Sequence, residues 1–112
     1  MIKAYRFGSI NVDGHSYDKD LIIYPDKVND SWRRKEGHTV NPDDVKEIIA
    51  SKPEVVIFGK GTPGFMKLSD EARTLLENEG IEVIILSTTK AVDKYNEIYK
   101  DKKVVAALHL TC

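Results

Sequence analysis

The sequence predicts a mixed α/β (α+β) domain: a three-layer sandwich in which an N-terminal antiparallel meander joins a C-terminal parallel βαβαβ unit in a mixed sheet. Three observations predict this architecture. Residues 3 to 40 form short strand-like segments between turn residues, whereas helical and strand-like patterns alternate from Asn41 onward. Only about three residues separate each of the last two helices from its flanking strands, so consecutive strands must run parallel.

Four strands are expected in the N-terminal half, and a tight turn separates the first two. Asp13-Gly14 is the strongest short-range hairpin signal, because both turn positions adopt positive φ. Val28 and Trp32 belong to a later segment in which apolar and polar residues alternate. The pattern predicts strands at residues 7–12, 15–17, 21–24 and 28–33.

Three helices are expected in the C-terminal half, and each begins at a capping residue. Asn41 caps the first, which has Pro42 at a position that needs no backbone N–H. Ser69 caps the second helix and Thr88 the third. The faces expected to point inward are Val45, Ile48 and Ile49 in the first, Ala72, Leu75 and Leu76 in the second, and Ala91, Val92, Tyr95, Ile98 and Tyr99 in the third.

Three strands alternate with these helices, at residues 55–58, 81–86 and 104–110. The segment Ile81–Leu86 is nearly all apolar, as expected of a strand that is covered on both faces. Gly80 lies where a helix commonly ends on a left-handed residue. Because parallel crossovers are right-handed, these elements form the βαβαβ unit.

Length and composition indicate one domain over residues 1–112. The 17 basic and 18 acidic residues give a net charge of −1, which disfavours a dedicated nucleic-acid surface or a basic membrane-binding face. The single cysteine, Cys112, allows no internal disulfide, and no apolar run is long enough to span a membrane. Residues 1–8 resemble a strand rather than a targeting peptide. We therefore expect a soluble cytoplasmic domain, a monomer or a small homo-oligomer.

Three segments that follow parallel strands are expected to meet at one edge of the sheet, where open parallel sheets bind ligands. A glycine-rich loop and a helix start can present backbone N–H groups to an anion, and Lys60 can add a positive charge. The sequence therefore predicts a candidate site for an anionic small molecule. Its candidate ligand-binding residues are Gly59, Lys60, Gly61, Thr62, Gly64, Thr88, Thr89, His109 and Cys112.

The loop matches the pattern G-x-G-x-x-G, but its surroundings disfavour a dinucleotide site. Residues 65–68 intervene before the helix cap at Ser69, and the next strand ends in Leu86-Ser87 without a carboxylate for a ribose. Pro63 also removes one backbone donor. We expect no nicotinamide nucleotide and no other cofactor. Glycines that let a long loop fold back over the sheet edge explain the pattern better.

The histidines and the cysteine do not form a recognisable catalytic or metal pattern. His109 and Cys112 have opposite parity on an extended strand, so a nucleophilic Cys–His pair would require a turn at this position. His15, His38 and His109 show no metal-ligand spacing with one another or with Cys112. We predict no catalytic residue and no metal site, and enzymatic activity is the less favoured interpretation.

Several charged residues in the first half are expected to be solvated. Asp18 and Asp20 flank a turn, and residues 33–35 form a short basic run. Trp32 and Arg33 are candidate partner-binding residues, because tryptophan and arginine are enriched at interface hot spots. The alternative is that Trp32 covers one face of the sheet beneath an arginine stem.

Several motifs together resemble a known family over essentially the whole chain. The family includes the adipogenesis-associated protein and the mitochondrial complex I assembly factor of eukaryotes, with many bacterial and archaeal single-domain members (the Mth-type domain). The motifs that carry the resemblance are Phe7-Gly8-Ser9-Ile10, residues 17–22, Trp32-Arg33, Gly37-His38, the glycine loop, Thr89 with Ala91, Val92, Tyr95 and Asn96, and the ending Ala106–Cys112, with its His109-Leu110-Thr111-Cys112.

The resemblance implies a three-layer αβ domain with a mixed sheet and no established enzymatic reaction. Its assembly-factor member suggests the binding of other proteins. Lys60 stands where the family usually has a small hydroxyl residue, which weakens any inference about shared anion-binding geometry. Two hypotheses follow: a protein-binding, assembly-factor-like module, or a protein that binds or converts an anionic small molecule at the Gly59–Gly64 loop and the His109–Cys112 segment.

Overall fold

Ten short strands and three helices make up the fold in the computed structural model, which describes residues 1–112. The strands are β1 (Ile2–Arg6), β2 (Ser9–Val12), β3 (His15–Tyr17), β4 (Leu21–Ile23), β5 (Val28–Asn29), β6 (Thr39–Val40), β7 (Val55–Gly59), β8 (Lys67–Leu68), β9 (Glu82–Leu86) and β10 (Val104–Leu108). The helices are α1 (Lys46–Ala50), α2 (Asp70–Asn78) and α3 (Thr88–Ile98), and a 3₁₀ turn over Pro42–Val45 precedes α1.

A five-stranded mixed sheet forms the centre of the molecule, in the order β5-β4-β10-β7-β9. Strands β10, β7 and β9 are parallel, while β4 pairs with β10 and β5 with β4 in antiparallel fashion. The predicted fold class is confirmed. The N-terminal meander contributes only β4 and β5 to this sheet, because β1, β2 and β3 form a separate antiparallel sheet and β6 pairs with β8.

Two hydrophobic clusters on opposite faces of the central sheet form the core. Along β7, Val55 and Ile57 belong to one cluster, and Val56 and Phe58 belong to the other. The first cluster includes residues of α3 and of the β1–β2 hairpin, and the second includes residues of α2 and the 3₁₀ turn. This alternation makes the central sheet the middle of three layers.

The strand order determines where a crevice can form. The chain passes from β7 to β9 in one direction across the sheet, and then from β9 back past β7 to β10. Because the direction reverses, crossovers of the same hand place α2 and α3 on opposite faces. The connections that leave the neighbouring strands β7 and β9 therefore run to opposite faces of the sheet. Open α/β sheets bind ligands at the crevice between two such connections.

Backbone geometry confirms the predicted turns and one helix cap. Asp13 and Gly14 have φ values of 52° and 94° at the β2–β3 hairpin, and Gly80 has a φ of 76° after α2. The Ser69 hydroxyl accepts a hydrogen bond of 3.1 Å from the Ala72 N–H at the start of α2. The turns and the cap were predicted correctly because each depends on backbone angles or hydrogen bonds among residues only a few positions apart.

One of the other two helix starts agrees with the prediction and one differs. Asn41 is the N-cap residue and Pro42 the first residue of the 3₁₀ turn that leads into α1, and the Asn41 backbone N–H donates to the Asp44 carboxylate at 2.8 Å. Ser87, rather than Thr88, is the residue before α3. The Thr88 hydroxyl is free to bond elsewhere, because Thr88 is already the first helical residue.

Three expectations about burial and extent are wrong. The strand predicted at residues 28–33 ends at Asn29, whose side chain accepts the Ser31 N–H at 3.0 Å and turns the chain. Strand β9 lies at the sheet edge and is only half-buried after its exposed first residue, rather than covered on both faces. Leu75 in α2 is 36% exposed, because the helix buries Ala72 and Leu76 instead.

None of the helices combines the length and the apolar character that a membrane span requires.

Candidate functional site

Three segments meet where the parallel strands end, and we call this surface the carboxyl edge. It consists of the β1–β2 turn (residues 7–8), the glycine loop extended by Phe65 (residues 59–65) and the segment 109–112. The Gly8 N–H donates to the Leu110 carbonyl at 2.8 Å, and the Thr62 N–H donates to the Thr111 carbonyl at 2.9 Å. The segment after β10 therefore joins the other two parts.

The hydroxyl of Thr88 ties the start of α3 to this edge. It donates a hydrogen bond to the His109 carbonyl at 2.6 Å and accepts one from the Gly61 N–H at 2.8 Å, and both hydrogen bonds are buried. The Thr88 N–H in turn donates to the Gly61 carbonyl at 3.2 Å. The structure thus brings together the glycine loop, Thr88 and His109, three parts of the predicted ligand site.

Two loop glycines are required by this close approach. A Cβ on Gly59 would lie 2.9 Å from both the Thr88 hydroxyl oxygen and a methyl carbon of Leu108. Gly61 has a φ of 94°, and a Cβ there would overlap the carbonyl oxygen of Thr111. These positions fit the interpretation that the glycines let a long loop fold back over the sheet edge.

Three consecutive amides of the loop already have partners within the chain. The Lys60 N–H donates to the Leu86 carbonyl at 2.8 Å, and the Gly61 and Thr62 amides bond as described above. Anion binding by the loop amides stays a prediction, and these three donors are occupied in this conformation. Lys60 and Cys112 are half-buried, and Thr89 is exposed beside Thr88.

A buried ionic cluster, which the sequence did not predict, lies beside this loop. One oxygen of Asp20, Oδ2, accepts from Arg34 Nη2 at 2.7 Å and lies 2.7 Å from His109 Nδ1. The other, Oδ1, accepts the Leu110 N–H at 2.8 Å. The Arg34 side chain is only 5% exposed and that of His109 only 8%. Asp20 and Arg34 were expected to be solvated, so both expectations are wrong.

The charge state of Asp20 follows from these contacts. Burial raises the pKa of the Asp20 carboxyl, but the bonds from His109, the Leu110 N–H and Arg34 outweigh it and bring the pKa to about 2. Asp20 is therefore ionised at neutral pH. An ionised carboxylate only accepts hydrogen bonds, so His109 donates through Nδ1.

Two polar atoms of this cluster are buried without a hydrogen-bond partner. They are Arg34 Nη1 and His109 Nε2. The Arg34 guanidinium lies over the Trp32 ring at 4.5 Å, and the exposed His38 ring meets His109 edge-on, with 5.6 Å between centroids. A sequence pattern could not reveal this cluster, because its members lie 14, 75 and 89 positions apart.

Trp32 and Arg33, the candidate partner-binding pair, occupy different environments. Trp32 is 6% exposed, packs near Phe58 with ring centroids 6.3 Å apart, and donates from Nε1 to the Asp44 carbonyl at 3.2 Å. Arg33 is exposed. The geometry favours the alternative in which Trp32 covers the sheet, and the arginine above it is Arg34. Partner binding through Trp32 and Arg33 remains a prediction. Of the two side chains, only that of Arg33 is exposed.

Two large apolar side chains are exposed at the carboxyl edge, and neither was predicted as a site residue. Phe7 is 60% exposed and Phe65 is 59% exposed. Phe7 precedes Gly8, which bonds to Leu110, and Phe65 belongs to the glycine loop, which bonds to Thr111. Both phenylalanines are thus carried by segments attached to the same stretch of chain after β10.

A cavity of about 520 Å³ lies away from the carboxyl edge, and none of the predicted site residues lines it. It lies near the start of β10, and its polar lining includes Tyr24, Lys27, Glu47 and Lys103. Burial and the contact with Glu47 raise the pKa of the Tyr24 hydroxyl, which donates to that carboxylate. No three His, Cys, Asp or Glu side chains come close enough together to hold a metal ion.

The fold and the carboxyl edge define a small α/β domain built on a mixed sheet. Residues 2–109 match the family described as "Protein of unknown function (DUF498/DUF598)", and the chain belongs to this family.

Solved structures agree with this membership. The conserved hypothetical protein PH1505 from Pyrococcus horikoshii is 27% identical, with 100% of this chain and 99% of that one covered and a TM-score of 0.86. The protein MT938 is 28% identical, with 100% and 98% covered and a TM-score of 0.84. A Mth938-like domain from Bordetella pertussis, 19% identical with 98% and 85% covered, shares the fold at a TM-score of 0.66. The resemblance to the Mth-type domain is confirmed.

Proposed function

We propose that this chain is a protein-binding module that acts in the manner of an assembly factor and holds its partner at the carboxyl edge. The observation that carries the proposal is the exposure of Phe7 and Phe65, at 60% and 59%, on segments attached to the same part of the chain. Exposed aromatic side chains are unfavourable in water, and they are enriched where proteins bind one another.

The two phenylalanines are presented on ordered backbone. The Tyr5 hydroxyl donates to the Leu110 carbonyl at 3.1 Å and lies 3.2 Å from the Thr62 hydroxyl, so β1 contacts both the segment after β10 and the glycine loop. A surface that is already ordered loses little conformational entropy when it binds. This supports a docking role for the carboxyl edge.

Basic residues close to the phenylalanines in the sequence, or in the same loop, indicate the charge of the partner. Arg6 precedes Phe7 in the sequence, Lys67 follows two residues after Phe65, and the Lys60 side chain lies across the loop, 3.8 Å from a Cβ placed on Gly64. An apolar surface bordered by acidic residues would complement this edge in polarity and charge. We therefore propose a partner protein with an acidic, apolar docking surface.

The family supports the same function, since the resemblance includes a mitochondrial complex I assembly factor. We also propose that the protein acts in the cytoplasm, because a chain with one cysteine needs no oxidising compartment to fold. The partner can also be a second copy of this chain, and the mass of the purified protein in solution distinguishes the two.

Purification of tagged protein from its own host tests the proposal. Phe7→Ser and Phe65→Ser should each reduce the recovered partner at least about tenfold, as expected for interface hot spots. Leu75→Ser, which removes an exposed apolar side chain from α2, is the matched control and should leave recovery unchanged. Equal recovery with all three variants would contradict the proposal.

A further inference from the structure

We propose that strand β9 pairs with β9 of a second copy of this chain, so that two central sheets join edge to edge about a two-fold axis at Ile84. This interface is separate from the carboxyl edge and does not depend on the docking function. Strand β9 is the last strand of the central sheet, so one of its sides has no neighbouring strand. An unpaired strand edge is a template for another chain, unless the sequence protects it.

The hydrogen-bond pattern shows which backbone groups of β9 face outward. The Glu82 N–H donates to the Glu54 carbonyl at 3.0 Å, and the Leu86 carbonyl accepts from the first N–H of the loop after β7 at 2.8 Å. In a parallel ladder, alternate residues of a strand bond to one neighbour. Val83 and Ile85 therefore direct their N–H and C=O groups away from the sheet.

The two edges of the central sheet differ in how they are protected. At one edge, β5 has only two residues, and the Asn29 side chain turns the chain after them. At the other edge, β9 has five residues in unbroken register with β7, without proline, lysine or a bulge. Its single charged residue, Glu82, is at the first position. The features that usually prevent edge pairing are present at β5 and absent from the rest of β9.

The side chains of β9 are incompletely covered on both faces of the sheet. Val83 and Ile85 pack against the cluster that includes α2, and Ile84 and Leu86 against the cluster that includes α3. All four are half-buried, whereas every residue of the neighbouring strand β7 is buried. A further strand beside β9 would cover apolar surface on both faces, as β9 itself does for β7.

A second copy fits this edge because β9 is complementary to itself. With Ile84 at the axis of an antiparallel pair, Val83 lies opposite Ile85 of the second copy, and each such pair exchanges two backbone hydrogen bonds. The outward groups of one strand thus meet those of the other. Glu82 lies opposite Leu86 of the second copy, so the two carboxylates do not face each other. This register is the one that pairs Val83 and Ile85 with each other.

Disulfide cross-linking tests both the pairing and its register. In a Cys112→Ser background, which leaves no native thiol, Ile84→Cys places two cysteines at the axis with Cα atoms about 4.5 Å apart, which suits a disulfide. Glu82→Cys is the matched control: its two copies would lie about 13 Å apart along the strands, too far to be bridged. Ile84→Cys should form a covalent dimer at least about tenfold faster than Glu82→Cys. Random collisions would favour the opposite order, because Glu82 is the more exposed residue.

Sedimentation equilibrium of the chain without added cysteines measures the interface independently. Wild-type protein should approach twice the mass of one chain as its concentration rises. Ile85→Pro removes an outward N–H that β7 does not use, and it should weaken dimerisation at least about tenfold, because each dimer loses two hydrogen bonds. Phe7→Ser, at the carboxyl edge, should dimerise as the wild type does. Amide NMR spectra of the variants show whether they fold, and the cysteine pair tests the interface without the proline.

Three outcomes would overturn the proposal. One is the absence of dimers up to about 1 mM wild-type chain, a concentration at which even millimolar affinity would be visible. Another is cross-linking of Glu82→Cys at the rate of Ile84→Cys or faster. The third is a dimer that persists in folded Ile85→Pro and is lost in Phe7→Ser, because that result would place the interface at the carboxyl edge and leave the docking function standing.

Discussion

Asp20 shows how a single side chain gains its importance from residues far away in the sequence. Its oxygens bond to Arg34, His109 and the Leu110 N–H, and these contacts connect the β3–β4 turn to the end of β10. In the sequence, Asp20 stands in a polar turn and Arg34 in a basic run, both of which predict solvated residues. Local patterns do not show which charges will pair in three dimensions, so this part of the site could not be predicted.

Asp20 should make stability dependent on pH in the acidic range. Its folded pKa of about 2 lies below the ordinary value of 3.8, so the folded state binds this proton more weakly than the unfolded state. The stabilisation is therefore fully present above about pH 4 and is lost as the pH falls through 2. The shift corresponds to about 2 kcal/mol of unfolding free energy.

Urea unfolding of the wild type and of Asp20→Asn between pH 7 and pH 2 measures this contribution. Asp20→Asn should lower the unfolding free energy at pH 7 and flatten its decrease toward acid. Asp18→Asn removes an exposed carboxylate from the same turn and should leave the wild-type curve in place. Parallel curves for Asp20→Asn and wild type would contradict the assignment.

At the scale of the element, two glycines have the same backbone φ but different surroundings. Comparing them distinguishes the cost of a left-handed backbone from the cost of a steric clash. Gly61 in the glycine loop and Gly14 in the β2–β3 hairpin both have a φ of 94°. A Cβ on Gly14 would meet nothing within 4 Å, whereas a Cβ on Gly61 would overlap the Thr111 carbonyl. The difference between them therefore reports the contact between the loop and the segment after β10.

Gly14→Ala should lower the unfolding free energy by about 1 kcal/mol through the left-handed backbone alone. Gly61→Ala should lower it by about 3 kcal/mol, because the loop must also move away from Thr111. Denaturant unfolding of both variants gives the comparison. Equal losses would show that the loop does not depend on this contact.

Elements with local signals were predictable, and elements decided by distant contacts were not. The hairpin at Asp13-Gly14 and the Ser69 cap were predicted correctly, because their hydrogen bonds and angles are local. Thr88 was predicted as a cap, but its hydroxyl instead bonds to His109 and Gly61, 21 and 27 positions away. Trp32 was predicted in a strand, but the turn after Asn29 places it in the core.

At the scale of the whole molecule, connection lengths predicted the topology. Short connections around α2 and α3 require parallel strands, and β10, β7 and β9 are parallel as expected. The hairpin signal at Asp13-Gly14 predicted the pairing of β2 with β3, but nothing in these strands shows that they form a sheet separate from the central one. The convergence of the glycine loop, Thr88 and His109 was predicted because parallel strands end at one edge.

The exposure of Phe7 and Phe65 could not be predicted from the sequence, because phenylalanine is most often a core residue. Only the fold shows that both remain at the surface, on segments tied to residues 110–111. The proposed docking function therefore depends on an arrangement of the whole molecule, and on contacts between segments more than 50 residues apart.

Photo-crosslinking in the host cell tests this docking function most directly. A photoreactive amino acid would replace Phe7, Phe65 or, as the control, the exposed Leu75 of α2. Phe7 and Phe65 should capture the same polypeptide, or a second copy of this chain, and Leu75 should not. Capture of unrelated polypeptides at Phe7 and Phe65, or equal capture at all three positions, would contradict a partner bound at the carboxyl edge.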